Sequence, residues 1–432
     1  MALHPLADAL NDELQRDGCP IHSLLSQRGK AIYFPSRGIL GQSAQARGKA
    51  INATIGTAFE EDGSPLTLEA LETLVNIPST SFLYAPSQGN PTLREEWKGR
   101  MMEKNPGLAG KTFSLPVVTS ALTHALWVSG FLFVDEGDEI IVPDLYWDNY
   151  DLLYGESFGA TLRTFNTFDN GRFDVAAMET AINATAKGKK VLLLNFPNNP
   201  TGYTVTDEEA LAIRDALLRA AQAGNRLVVI LDDAYFGLVY EAGVFEESLF
   251  SLLCDLHPDI LAIKLDGSTK EDYVWGFRVG FMTFGFAGAT PARLAALESK
   301  AAGAVRASIS NAPGVSQSLL LKAYQTDGYD AQKQQKYDIL KRRYLRIREV
   351  LSAHPEFGES FLAMPFNSGY FMCVKLKGAD PEAVRNVLLN EFDTGVIVLS
   401  GLIRLAFSSV PHDRLEQLFT NIHEAVCKVK SG

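Results

Sequence analysis

The chain has 432 residues, of which 46% are hydrophobic and 21% charged, so we expect a globular protein long enough for two domains. Its net charge of −11 disfavours a main role in binding nucleic acids or anionic membranes. The dispersed cysteines and histidines lack metal-ligand spacing, and we find neither a signal-peptide pattern nor an apolar run of membrane-spanning length. These features predict a cytoplasmic protein that acts on small molecules.

The first 115 residues combine helical patterns with loops. Residues 6–29 carry a helical apolar pattern, a glycine-punctuated loop follows at 52–65, and residues 68–75 again have helical spacing. A proline at the first turn predicts a helix at 91–102.

From about residue 115 to residue 263, short apolar strands alternate with helical patterns. This alternation predicts βαβ units and a mainly parallel sheet covered by helices on both faces. Ligands bind at the carboxyl ends of the strands in such sheets. The predicted strands are 117–118, 139–142, 160–165, 191–194, 227–231 and 260–265, and the predicted helices between them are 121–134, 175–184 and 207–223.

The remainder of the chain is richer in helices. Helical patterns cover 291–302 and, as one long segment, 314–351. The later segments are predicted strands at 369–375, 396–398 and 403–407 and predicted helices at 381–391 and 411–428. We therefore predict an α/β fold with a large domain at 66–329 and a smaller α+β domain formed by 1–65 and 330–432.

Residues 264–284, KLDGSTKEDYVWGFRVGFMTF, contain the clearest chemical signal. Lys270 lies in a small, polar turn after a buried strand, and Arg278 follows eight residues later. An amine that can lose its proton, beside a permanent cation that fixes a phosphate, suits Schiff-base chemistry on a phosphorylated aldehyde. A loop with two solvated basic residues is the alternative. Lys264 is a rival amine, but it lies inside the apolar strand without the small-residue turn.

Four other strand-end loops carry unusual residues. TSALTHAL opens a helix whose N–H groups suit a phosphate, and PDLYWDNY offers an aromatic face for a flat ring. NFPNNPTGY supplies side-chain amides, and DDAYFG ends a buried strand with an acid. Each loop alone also fits an ordinary turn, cap or packing surface. Together they supply the acid, aromatic face, donors and amine that a pyridine aldehyde cofactor needs.

These motifs resemble those of pyridoxal-phosphate aminotransferases of fold type I, class I/II, and in detail the aspartate/aromatic branch. The resemblance extends over nearly the whole chain and implies a large domain with a seven-stranded-type sheet, pyridoxal 5′-phosphate as cofactor, and ping-pong transfer of an amino group. It implies that Lys270 is the Schiff base and proton shuttle, with Asp232 and Tyr235 as the other catalytic residues. The implied cofactor-binding residues are Tyr84, Ala121, Leu122, Thr123, Trp147, Asn199, Asp232, Tyr235, Ser268, Lys270 and Arg278.

The resemblance also bears on the substrate. The implied substrate-binding residues are Ile55, Gly56, Trp147, Asn199, Arg306 and Arg404. Among them, Arg404 would grip the α-carboxylate by a bidentate contact. Arg306, four residues before Ser310, matches a neighbour-subunit arginine for a side-chain carboxylate, and an ordinary surface arginine is the alternative. The resemblance thus implies acidic amino acids and their 2-oxo acids as substrates, with aromatic ones as a further class. It also implies a homodimer in which Tyr84 and Arg306 act across the interface.

The chain departs from the family pattern at several positions. Gly267 stands where Ser or Thr is usual, with Ser268 next to it, and Ala121 and Leu122 stand where small Gly or Ser types are usual. Tyr150 replaces the histidine that commonly backs the ring-binding acid. These departures indicate a divergent member of the family.

Two other functions remain open. Another fold-type-I reaction, that of an amino-acid decarboxylase or lyase, would use the same cofactor residues. A regulatory protein with an aminotransferase-like sensor domain would carry a DNA-binding helix-turn-helix segment before that domain, and no basic recognition helix is visible in this sequence.

Overall fold

Two sheets organise the chain, a seven-stranded sheet from residues 117–285 and a four-stranded sheet from residues 361–406. The computed structural model describes residues 3–15, 30, 39–54, 56–72 and 77–431. In the order of the chain, the strands are β1 (Ile51–Asn52), β2 (Val117–Thr119), β3 (Glu139–Pro143), β4 (Thr161–Phe165), β5 (Phe168–Asp169), β6 (Arg172–Phe173), β7 (Lys189–Asn195), β8 (Arg226–Asp232), β9 (Ile260–Gly267), β10 (Gly280–Gly285), β11 (Phe361–Ala363), β12 (Phe371–Leu376), β13 (Thr394–Gly395), β14 (Ile397–Leu399) and β15 (Leu402–Ala406).

Helices connect and cover these strands. They are α1 (Pro5–Gln15), α2 (Ile39–Gln45), α3 (Glu69–Glu72), α4 (Pro91–Lys104), α5 (Ala121–Phe133), α6 (Val175–Asn183), α7 (Asp207–Gln222), α8 (Phe250–Leu253), α9 (Ser268–Glu271), α10 (Pro291–Ile309), α11 (Gly314–Tyr324), α12 (Tyr329–Ala353), α13 (Pro381–Glu391) and α14 (Leu415–Ser431). Short 3-10 turns lie at Ser79–Phe82, Pro106–Leu108, Pro355–Glu359, Phe407–Ser409 and His412–Arg414, and a π-helical turn lies at Asp151–Glu156. No helix within the described ranges combines the length and apolar character needed to cross a membrane.

The large sheet has the strand order β2-β10-β9-β8-β7-β3-β4. Strands β9, β8, β7, β3 and β4 are parallel, as the alternation of strands and helices predicted. Strand β10, which the alternation did not predict, runs antiparallel to both β9 and β2. The connection from β9 to β10 holds only one short helix, which is too little for the crossover that a parallel neighbour requires.

Both faces of the large sheet are buried. On one face, residues of α5 and α10 join one apolar cluster with the strands, and on the other face α6, α7 and α8 join a second. The central strands β7 and β8 are buried along nearly their whole length. A parallel sheet needs this cover on both sides, and it leaves the carboxyl ends of the strands as the open edge.

The four-stranded sheet is antiparallel, with the order β11-β12-β15-β14. Residues of α12, α13 and α14 pack with it in one apolar cluster. Near it, β1 pairs in parallel with β13, which brings residues 51–52 beside residues 394–395. The proposed boundaries of the two domains stay a prediction.

Some predicted helices differ from the structure. The single predicted helix at 314–351 is wrong, because Gly328 adopts a left-handed φ of 82° and separates α11 from α12. The helix predicted to end at residue 302 continues to Ile309. The helix predicted at 411–428 begins as a 3-10 turn before α14. Of the helices predicted at 6–29 and 68–75, the described residues show α1 and α3, and the rest lies outside the described residues.

Candidate active site

A cavity of about 430 Å³ lies at the carboxyl ends of β7, β8 and β9. Most of the predicted site residues line it, and they come from loops that are far apart in the sequence. These residues are Gly56, Ala121, Leu122, Thr123, Trp147, Asn199, Asp232, Tyr235, Lys270, Arg278 and Arg404. Among the described residues, no cluster of three or more His, Cys, Asp or Glu side chains could hold a metal ion.

Four predicted site residues are not part of this lining. Tyr84 is 89% exposed, and Arg306 is exposed with its Nη1 donating to the Ser310 hydroxyl at 2.8 Å. Ser268 is fully buried, and its hydroxyl donates to the carbonyl of Val279 at 3.3 Å. Ile55 lies outside the described residues.

Other residues line the cavity without having been assigned a role from the sequence. They are Ile39, Asn195, Ala234, Thr269, Trp275 and Phe371, and the cavity is also lined by Tyr150, which the resemblance placed behind the ring-binding acid. The strand-end argument could have found Asn195, which pairs with Asp232 in register at the ends of β7 and β8. Phe371 begins β12 of the other sheet, and no local sequence pattern connects it with the site.

Lys270 contributes an amine to the lining of the cavity. It lies in the short helix α9, and its Nζ is 4.9 Å from the centre of the Tyr235 ring. Within the described residues it forms no ion pair, and burial lowers its pKa to about 8 against the opposing charge of Asp232. A lysine with this pKa is partly neutral near pH 7–8, which nucleophilic attack and proton transfer both require.

Lys264 has the opposite environment. It is fully buried, and its Nζ lies 2.6 Å from Asp233 Oδ2 and 3.0 Å from Asp266 Oδ2. Burial opposes its charge, but the two carboxylates together raise its pKa above the ordinary value for a lysine. Lys264 is therefore a permanently charged structural residue, and it does not line the cavity.

Outside the cavity, a cluster of ion pairs on the two residues after Lys270 anchors the turn that carries it. The carboxylate of Glu271 bonds Lys104 of α4 and lies 2.8 Å from Lys333 of α12. Burial opposes the charge of Glu271, yet the two lysines hold its pKa well below the ordinary value. The next residue, Asp272, also pairs with Lys333, at 3.2 Å. These ion pairs hold the main chain that follows Lys270, while the Lys270 side chain itself lines the cavity.

Asp232 ends β8 and is 3% exposed. The Tyr150 hydroxyl donates to its Oδ2 at 2.6 Å, and the N–H of Ala234 donates to its Oδ1 at 3.2 Å. Burial raises the pKa of Asp232, and the hydrogen bond from Tyr150 opposes this rise. Burial also raises the pKa of Tyr150 well above the ordinary value, so this hydroxyl keeps the proton that it donates. In this chain, the side chain that donates a hydrogen bond to Asp232 is therefore Tyr150.

At the other end of the cavity, the first turn of α5 forms a cradle for an anion. Ala121 adopts a left-handed φ of 62°, and the Thr119 hydroxyl donates to its carbonyl at 3.0 Å. A Cβ atom at Gly280 would lie 2.6 Å from the carbonyl carbon of Ala121, so glycine is required at this contact. The backbone N–H groups at the start of a helix of this length attract phosphate.

The residues beside this cradle fit a phosphate group. The Thr269 hydroxyl is buried and has no hydrogen-bond partner among the described residues. The guanidinium of Arg278 has no acidic partner within the described residues, and it donates to the carbonyl of Trp275 at 3.3 Å. A Cβ atom at Gly267 would lie 2.7 Å from the carbonyl oxygen of Val279, which explains why the usual Ser or Thr is missing there. The hydroxyl of Thr269, one residue before the lysine, is available instead.

Arg404 lies on β15 and is 2% exposed. Its Nη1 donates to Asn199 Oδ1 at 3.0 Å and its Nη2 to the carbonyl of Thr54 at 3.1 Å. Its Nε is buried without a partner, and no carboxylate of the described residues forms an ion pair with it. A buried guanidinium with only neutral acceptors is costly, and it favours the arrival of an anion such as a carboxylate.

Comparisons with known proteins identify relatives of the chain. A model of the family aminotransferase class I and II matches residues 58–422. The aspartate aminotransferase of Musicola paradisiaca is 28% identical over 209 residues, 46% of this chain and 47% of that protein. The 1-aminocyclopropane-1-carboxylate synthase 6 of Oryza sativa subsp. japonica is 30% identical over 204 residues, 46% of this chain and 36% of that protein. The chain thus spans less than half the length of these curated relatives.

A comparison of structures extends over more of the fold. A solved aminotransferase from Anaerococcus prevotii has a TM-score of 0.79 and 21% identity, and the match covers 93% of this chain and 98% of that one. This likeness confirms the predicted α/β fold class.

Proposed function

Because the chain belongs to the aminotransferase class I and II family, whose members use pyridoxal phosphate, we propose that it transfers an amino group between an L-amino acid and a 2-oxo acid. The observation that carries this proposal is the shared cavity of Lys270, Asp232 and Arg404. The amine of Lys270, with its lowered pKa, would serve the reactive atom, and the buried acid Asp232 would serve the cofactor ring. The buried guanidinium of Arg404, which has no carboxylate partner within the described residues, would serve the substrate carboxylate.

The residues present would hold pyridoxal phosphate as follows. Lys270 Nζ would bond the aldehyde carbon, and Asp232 would hold the proton on the ring nitrogen. The hydroxyl of Tyr235 and the amide of Asn199 would donate to the ring oxygen, and Trp147 would lie against the ring. Thr269, Arg278 and the first turn of α5 would bind the phosphate. When bound, the cofactor withdraws electrons from the Cα atom of the substrate.

The chain itself supplies orientation and proton transfer. Arg404 would bind the α-carboxylate in a bidentate manner and so set the direction of the Cα–H bond. Lys270 Nζ would take the proton from Cα as a general base and return it as a general acid. The pKa of about 8 suits both steps near neutral pH. The two half-reactions would share one cavity, so we expect ping-pong kinetics.

The test of this function is a reaction in two stages. Incubating the cofactor-loaded protein with one amino acid and no acceptor should release the matching 2-oxo acid in an amount equal to the number of sites. Adding a second 2-oxo acid should then restore the original absorbance. Among donors, we expect acidic amino acids to be preferred and aromatic ones to follow. Release of CO₂ and alanine from aspartate would instead establish the decarboxylase alternative.

A homodimer is the proposed assembly, and an exposed apolar patch supports it. Phe82, Leu83 and Tyr84 are 80%, 69% and 89% exposed. The Ser81 hydroxyl bonds the Ser318 hydroxyl at 2.7 Å, so this segment lies against α11 close to the end of α10, where Arg306 is found. Contiguous large apolar side chains on a surface mark an interaction site. A second copy would cover the patch and receive Tyr84 and Arg306 at its cavity.

A mixed dimer tests whether the cavity is shared. Lys270→Ala and Arg306→Ala chains would each form homodimers that react poorly with aspartate. In the Arg306→Ala homodimer, activity with aspartate should fall by roughly a hundredfold, because a charge-assisted hydrogen bond is lost. A dimer with one chain of each kind contains one site with both Lys270 and the partner's Arg306. We expect this mixed dimer to recover activity at one of its two sites. If it is as inactive as its parents, Arg306 does not act across the interface.

A further inference from the structure

His124 lies in the first turn of α5 and joins two parts of the chain. Its Nδ1 accepts a hydrogen bond from the backbone N–H of Ser120 at 3.1 Å. Its Nε2 lies 2.9 Å from the hydroxyl of Ser308, near the end of α10. The imidazole therefore bridges the residue before the anion cradle and a neighbouring helix.

The hydrogen bonds determine the protonation of this ring. A backbone N–H can only donate, so Nδ1 must be unprotonated. The Ser308 hydroxyl donates to the carbonyl of Ala304 at 2.8 Å, so it accepts from Nε2–H. Burial lowers the pKa of His124 to about 4, which keeps the ring neutral at physiological pH. The His124 ring therefore has one tautomer, in which Nε2–H donates to Ser308 and Nδ1 accepts from Ser120.

The position of the bridge connects it with phosphate binding. Ser120 directly precedes Ala121, whose left-handed φ of 62° an alanine adopts only when its surroundings impose it. Thr119 holds the carbonyl side of this turn, and His124 holds the N–H side. The conformation of this turn sets the direction of the N–H groups of residues 121–123. An imidazole that fixes the turn therefore fixes the donors.

We propose that His124 is a positioning residue for the phosphate of the cofactor, acting through Ser120 on the N–H groups of the α5 turn. This proposal rests on the proposed function, since it assumes that pyridoxal phosphate occupies the cavity. His124 itself does not line the cavity, so its action is indirect. We expect His124 to affect phosphate binding alone, because Lys270 and Asp232 are held by other hydrogen bonds, from Tyr370 and Tyr150 respectively.

The experiment compares pyridoxal phosphate with pyridoxal, which lacks the phosphate. The dissociation constants of both are measured for the wild-type protein freed of cofactor and for three variants. His124→Phe keeps the ring that stacks on Trp127 at a centroid distance of 6.2 Å but loses both nitrogens. His124→Gln keeps one acceptor and one donor. Ser308→Ala removes only the partner of Nε2.

We expect His124→Phe to weaken binding of pyridoxal phosphate by about tenfold while changing pyridoxal binding by less than about twofold. His124→Gln should retain most of the preference for the phosphorylated form, and Ser308→Ala should give an intermediate loss. Thermal unfolding of each variant shows whether it is folded. If His124→Phe does not fold, Ser308→Ala and His124→Gln carry the same comparison.

An equal loss of affinity for both compounds, or no loss for either, would overturn the role of His124. Failure of the wild-type protein to bind pyridoxal phosphate would instead overturn the proposed function. The two failures are distinguishable, because the first appears in the affinities of the variants and the second in the wild-type protein itself.

Discussion

Replacing Lys270 by alanine is expected to lower amino-group transfer by about 10⁴-fold or more, the upper end of what a positioned acid–base group contributes. The effect is large because one side chain is asked to bond the cofactor and to move the Cα proton. Its half-buried position, its pKa of about 8 and its place in the cavity all point to these roles. The measurement is turnover of an amino acid, together with the absorbance of the lysine-bound cofactor.

Lys264→Met is the matched control for that variant. Lys264 is six residues away in the same sequence motif, but it pairs with Asp233 and Asp266. Its loss leaves two buried acids without a cation, so we expect a cost of about 3–5 kcal/mol in the free energy of unfolding. The cofactor absorbance of the folded fraction should persist. Retained absorbance and turnover in Lys270→Ala, with both lost in folded Lys264→Met, would reverse the assignment of the two lysines.

Replacing Arg404 by lysine is expected to lower kcat/KM for α-amino acids by roughly a hundredfold or more, since a charge-assisted hydrogen bond contributes about 1.5–3 kcal/mol and two are at stake. Lysine keeps the positive charge but cannot offer two parallel N–H donors. The comparison that isolates this effect uses an amino acid and the amine formed by removing its carboxylate. Arg404→Lys should lose most of the discrimination between them.

Arg343→Lys is the control for replacing a buried arginine. Arg343 is also fully buried, and it donates to the carbonyls of Ser408 and Phe59 at 2.6 Å each, outside the cavity. We expect this variant to be less stable and to keep its preference for the carboxylated substrate. If Arg343→Lys and Arg404→Lys lose the preference equally, Arg404 is not the carboxylate-binding residue.

The sequence motifs predicted those parts of the site that one segment encodes. The turn around Lys270 could be distinguished from the strand around Lys264 because small polar residues surround only the former. The same holds for Asp232 at the end of β8, since a buried strand that ends in an acid is visible in the sequence. The parallel core of the sheet followed from the alternation of strands and helices.

Features that depend on distant contacts could not be predicted. Phe371 meets the cavity only because β12 pairs with β15, which carries Arg404. The family resemblance placed Tyr150 behind Asp232, but residue spacing alone could not, because the two residues are 82 positions apart. The Thr269 hydroxyl, which has no hydrogen-bond partner in the part of the chain that the structure describes, is recognised only when the neighbouring donors and acceptors have been placed. The break at Gly328 was missed because one glycine inside a long helical pattern is compatible with an unbroken helix.

Helix α12 contacts both the turn that carries Lys270 and the segment that follows β15. Near its start, Lys333 grips the acids that follow Lys270, and ten residues later, about 15 Å along the axis, Arg343 holds the segment just after β15. Because one continuous helix joins these two contacts, α12 sets the distance between the turn that carries Lys270 and the segment that follows Arg404, from a position outside the cavity.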